Sequence, residues 1–97
     1  MPTYVALLNW TEQGVKSAKD TVDRWEAART QFEGIGVTLK ESYWTVGPYD
    51  VVAIIEGPDD ESASAALLGL AGGGNLRSTT MRAFTADEMR GVIQRMP

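Results

Sequence analysis

From Thr3 to Trp10 the chain leaves neither side of an extended strand polar. Tyr4, Ala6, Leu8 and Trp10 fall on one face, and Val5, Leu7 and Asn9 on the other. A strand that is apolar on both faces belongs inside its sheet, covered from two directions. The period then lengthens. Between Thr11 and Gly36, Val15, Ala18, Val22, Trp25, Ala28, Phe32 and Ile35 recur at three- and four-residue steps. This predicts a helix in two pieces with that stripe facing the core. Asp20 followed by Asp23 resembles a capping box where the helix restarts after a bend, and Gly34 and Gly36 supply the stop. Glu26, Arg29, Thr30 and Glu33 mark the solvated side.

Alternation returns at Val37–Val46, with Leu39, Glu41, Tyr43 and Thr45 on one face against Thr38, Lys40, Ser42, Trp44 and Val46 on the other. A more polar strand of this kind lies nearer a sheet edge. Gly47-Pro48 is a turn signal, and the apolar run Asp50–Glu56 completes a hairpin. Gly57-Pro58-Asp59-Asp60-Glu61 opens a second helix, its carboxylates set against the positive end of the helix dipole. Ala63, Ala66, Leu67 and Leu70 form the buried stripe, and Gly72-Gly73-Gly74 ends it. Asn75–Phe84 reads as a fourth strand. Thr85-Ala86-Asp87-Glu88 is a capping box launching a last helix that carries Met89, Val92, Ile93 and Met96.

Two strand-helix-strand units joined by a tight hairpin make an α+β, ferredoxin-like β-α-β-β-α-β sandwich with an added C-terminal helix. The right-handed crossover rule places both main helices on one face of the sheet. The first and third strands are apolar on the other face too, so that face is expected to be covered by a second copy of the chain. Residues 1–97 are expected to form one domain.

Composition narrows the chemistry. The chain has no Cys and no His, which removes thiolate and imidazole nucleophiles, Ser-His-Asp triads and the usual zinc and haem ligands. No metal and no cofactor are expected. Nine basic residues against 13 acidic ones leave a net charge of -4. The basic residues are scattered singly, so nucleic acid is not an expected partner. The absence of a leader-like amino terminus and of any long apolar run makes a cytoplasmic protein without membrane contact the expectation.

Three separated segments resemble the GYD domain family, a small bacterial and archaeal group of largely unassigned function. They are Tyr4-Val5-Ala6-Leu7-Leu8-Asn9-Trp10-Thr11, Gly47-Pro48-Tyr49-Asp50-Val51-Val52-Ala53, and Gly74-Asn75-Leu76-Arg77 running on to Arg82-Ala83-Phe84-Thr85. The resemblance implies a dimeric α/β-barrel, in which two sheets pair through their open faces. It leaves the activity open, since that architecture hosts cofactor-free enzymes as well as binding and assembly modules.

A few residues can carry chemistry. Tyr49 and Asp50 follow the hairpin turn and can contact a ligand or simply hold the turn. Asn9 and Trp10 close the first strand, where they can edge a pocket or cap the core. Arg82 can anchor a carboxylate or phosphate, or pair with Glu41 or Glu56. Tyr43, Trp44 and Arg77 are candidates for an interface, with Tyr43 and Trp44 on opposite faces by alternation. The leading expectation is a homo-oligomeric binding or assembly module, homodimeric or of higher even order, with a small apolar or aromatic molecule as a further partner. The alternative is a cofactor-independent enzyme acting on a small aromatic or carbonyl compound.

Overall fold

The computed structural model describes residues 1–97. Strand β1 (Thr3–Trp10) leads into the short helix α1 (Glu12–Lys16), a 3-10 turn at Ala18–Asp20 and helix α2 (Thr21–Glu33). Strands β2 (Thr38–Trp44) and β3 (Val51–Glu56) form the hairpin, followed by α3 (Asp60–Gly72), β4 (Leu76–Ala83) and α4 (Ala86–Gln94). The four strands form one antiparallel sheet in the order β2-β3-β1-β4, so the doubly apolar β1 and β3 are central and the polar β2 and β4 take the edges.

Register fixes the two faces. On the helix-covered face, Tyr4, Ala6 and Leu8 stand beside Ile55, Ala53 and Val51. These six residues are buried together with Trp25, Ala28 and Phe32 from α2 and Ala63, Ala66 and Leu67 from α3. On the open face, Val5 sits between Ile54 and Met81, and Leu7 between Val52 and Thr79. Val5, Leu7, Val52 and Ile54 are half-buried, with α2 and α3 on the opposite face and α4 making no extended packing against the sheet.

The predicted alternation in β2 breaks at Lys40. Leu39 pairs with Ile55 and Glu41 with Ile54, so two steps along β2 match one along β3, and Lys40 is the extra residue of a bulge. Leu39 is therefore buried on the helix side while Glu41 and Tyr43 face the open side, not one face as strict alternation implies. The helical stripe is also shorter than its sequence period. Trp25, Ala28 and Phe32 are buried, whereas Val15, Val22 and Ile35 are about half exposed, because the 3-10 turn resets the phase before α2 and Ile35 lies beyond its end. Asp20 does occupy the N-cap of α2, yet its carboxylate makes no cap bond. Its backbone, at φ -94 and ψ 6, lacks the extended conformation that turns an N-cap side chain toward the first amides.

Local polar groups close the helix starts. Thr11 caps α1, accepting from the Gly14 amide at 3.1 Å, and Asp59 caps α3, accepting from Ser62 at 2.7 Å. The Thr85/Glu88 box is complete in both directions. Gly36 and Gly74 follow α2 and α3 with left-handed φ values of +79 and +82. One close approach carries no local signal. Gly14 packs so tightly that a Cβ on it would lie 2.1 Å from the Asn75 carbonyl oxygen. Around that contact the Thr11 amide donates to Asn75 O at 3.0 Å, the Thr11 hydroxyl to Gly74 O at 2.5 Å, and Gln13 Nε2 to Gly73 O at 3.1 Å. The helix start and the glycine loop before β4 are thereby latched together.

Helix α4 buries none of its residues. Met89, Val92 and Ile93 form one apolar stripe, with Met96 beyond the helix end, and all four stay 38–68% exposed. The radius of gyration, 14.5 Å, exceeds the roughly 12.5 Å expected of a compact chain of this length.

Candidate functional site

The strand ends carry the first group of candidates. Asp50 reaches across from the β3 side, its Oδ2 accepting from the Trp10 amide at 2.9 Å while its own amide donates to Leu8 O at 2.9 Å. Its carbonyl accepts from the Thr45 amide at 2.8 Å, and the Tyr49 carbonyl accepts from the Thr45 hydroxyl at 2.5 Å. Trp10 packs against the core, its indole nitrogen buried without a partner. Asn9 lies opposite Arg77 on the open face. Asn9, Trp10, Tyr49 and Asp50 thus share one end of the sheet. Arg82, paired with Tyr4, stands about 17 Å from Arg77 along β4, toward the other end.

The interface candidates divide by face. Tyr43 lies on the open face next to Val52, and Arg77 on the same face next to Asn9. Trp44 turns to the helix side, where its indole N–H donates to Thr21 Oγ1 at 3.1 Å. Of the carboxylates proposed for Arg82, Glu56 instead pairs with Lys40 at 2.8 Å. Arg82 lies 3.8 Å from Glu88 Oε2, in the first turn of α4.

A cleft of about 540 Å³ opens between α3 and β4. It exists because the helix-side face of β4 is polar: Ser78, Thr80 and Arg82 succeed one another there, and α3 leaves them uncovered. Ala63, Leu67, Leu68 and Ala71 make an apolar wall on α3. Ser78 and Thr80 share a hydrogen bond of 2.5 Å along the floor. At one end the buried Tyr4 donates its phenol to Asp60 Oδ1 in the first turn of α3. The Arg82 guanidinium carbon lies over the rings of Phe84 and Tyr4, 4.8 Å and 5.8 Å from their centroids. Burial, and then the hydrogen bond to the Asp60 carboxylate, pushes the Tyr4 phenol up to about 12. The Thr85 amide beside Glu88 holds that carboxyl below its usual range. No cluster of three or more carboxylates suited to a metal ion is present.

Of these cleft residues, sequence reasoning singled out Arg82 alone. A tyrosine in an otherwise aliphatic row of β1 and an aspartate in an acidic helix start were both visible signals, but each has an ordinary explanation by itself. Only the packing of α3 against the sheet brings them together.

Comparison with known proteins agrees with this architecture. The GYD domain model matches residues 4–93. The chain is 28% identical over 90 residues to a Thermus thermophilus protein named glutamine synthetase and cystathionine beta-lyase binding protein, covering 92% of this chain and 95% of that one. The crystal structure of TTHA0845, also from Thermus thermophilus, is similar with a TM-score of 0.56 at 25% identity, over 89% of this chain and 96% of that chain. No helix is long and apolar enough to cross a membrane.

Proposed function

Because this chain belongs to the GYD domain family, we propose that it is a homo-oligomeric binding module whose copies pair through their open sheet faces and whose assembly docks onto partner enzymes. The observation that carries this reading is the open face itself. Val5, Leu7, Val52 and Ile54 form its apolar centre, with Tyr43, Met81 and Arg77 around it, the pattern of an interface core within a more polar rim. The loosely packed apolar stripe of α4 extends the same requirement beyond the sheet, since Met89, Val92 and Ile93 stay 38–53% exposed within their own chain. The name of the Thermus relative supports the second half of the proposal, and glutamine synthetase and cystathionine beta-lyase are the first enzymes to offer as partners.

Sedimentation velocity of the purified chain tests the pairing. An even oligomer at micromolar concentration is expected, and Ile54→Arg, which puts a charge in the middle of the open face, is expected to give monomer. A wild-type monomer overturns the pairing. Biolayer interferometry against glutamine synthetase and cystathionine beta-lyase from the same host tests the docking, which fails if neither enzyme is retained.

A further inference from the structure

We propose that the cleft between α3 and β4 binds a free α-amino acid with an apolar side chain, its ammonium at Asp60 and its carboxylate at Arg82. The two charges lie at the same end of the cleft, because Tyr4 touches both: its phenol reaches Asp60, and its ring lies beneath the Arg82 guanidinium. No ion pair joins Asp60 to Arg82. A ligand carrying an ammonium and a carboxylate on one carbon can therefore span them across the Tyr4 edge.

Both groups retain binding capacity. A carboxylate offers about four acceptor positions, of which Tyr4 takes one on Asp60. A guanidinium has five N–H donors; the contacts Arg82 makes to the Thr3 and Ala83 carbonyls involve Nη1, and Nη2 lies 3.8 Å from Glu88 Oε2, beyond hydrogen-bond length, so donors remain for a ligand. Contact with the faces of Phe84 and Tyr4 helps hold the guanidinium over the cleft end, and its planar fork suits a carboxylate better than a lysine ammonium would. Away from the charged end, the cleft runs between Leu67, Leu68 and Ala71 on one side and Thr80 and Ser78 on the other, giving an apolar tail a wall to lie against. Its volume falls in the range of small-molecule sites, roughly 300–1,000 Å³. A simple carboxylate would leave Asp60 without a cationic partner, and a simple amine would leave Arg82 without an anionic one.

The cleft lies on the helix side and the proposed pairing surface on the other, so the two readings fail separately. The test is an amide nitrogen–proton titration of labelled protein with L-norleucine, set against hexanoate, which lacks the ammonium, and pentylamine, which lacks the carboxylate. Saturable shifts confined to residues 60–68 and 78–82 are expected at millimolar norleucine. Each single-charge analogue should bind at least about tenfold more weakly, one charge-assisted contact being lost. Arg82→Gln and Asp60→Asn should each weaken norleucine by about the same factor. Leu68→Glu, at a position 72% exposed and so free to change without disturbing the fold, should block the tail. Absence of saturable shifts with norleucine, equal affinity for hexanoate, or unchanged binding in Leu68→Glu would each overturn the proposal.

Discussion

The phenol of Tyr4 donates to the carboxylate of Asp60, tying the middle of the sheet to the first turn of α3 across 56 positions of sequence. Tyr4 is 5% exposed, and the fold favours its neutral form, since burial and the Asp60 charge both oppose a phenolate. The folded value of about 12 lies above the ordinary 10, so the stabilisation is complete below about pH 10 and is lost as pH rises through 12. Alkaline unfolding followed by circular dichroism should therefore steepen between those values. Tyr4→Phe should flatten that dependence and remove a late phase from the phenolate absorbance titration.

Gly14 and Gly69 should respond oppositely to the same substitution. A Cβ at Gly14 meets the Asn75 carbonyl oxygen at 2.1 Å, a backbone atom that moves only by breaking the latch, so Gly14→Ala should cost about 1–3 kcal/mol. A Cβ at Gly69, within α3, meets nothing within 4 Å, and Gly69→Ala should stabilise by up to about 1 kcal/mol. Urea denaturation of the two variants reads both signs.

At the hairpin end, Asp50→Ala should destabilise by about 1–2 kcal/mol, because the half-buried Trp10 amide loses its acceptor. Asp50→Asn keeps an acceptor oxygen there and should cost less. Thermal unfolding of both variants measures the difference. If Asp50→Ala is as stable as wild type, the carboxylate does not hold β1 to the turn.

Thr85→Ala removes one half of the capping box of α4, typically worth about 1 kcal/mol to a helix. Since none of the residues of α4 is buried within its own chain, the loss should appear as reduced helical circular dichroism and weaker self-association, not as a large fall in the unfolding midpoint of the sheet. Equal assembly in the variant and wild type would separate α4 from the pairing surface.

Local chemistry made much of the architecture legible in the sequence. Strand β1 was readable from Thr3 to Trp10 because its side chains alternate between two apolar faces, and α4 because Thr85 and Glu88 satisfy each other's amides within one turn. The central place of β1 and β3 followed from their doubly apolar pattern, a property of each strand alone. Tertiary structure decided what depends on two distant segments meeting. The bulge at Lys40 moved Leu39 and Tyr43 to opposite faces, since pairing with β3 sets register and one extra residue inverts it. The close approach that makes Gly14 necessary is made by Asn75, and the cleft at Tyr4, Asp60 and Arg82 by strand pairing together with the seat of α3. Periodicity records which way each side chain points, because that is set by the few neighbouring backbone dihedrals. Which partner it finds there is set by the packing of the whole chain.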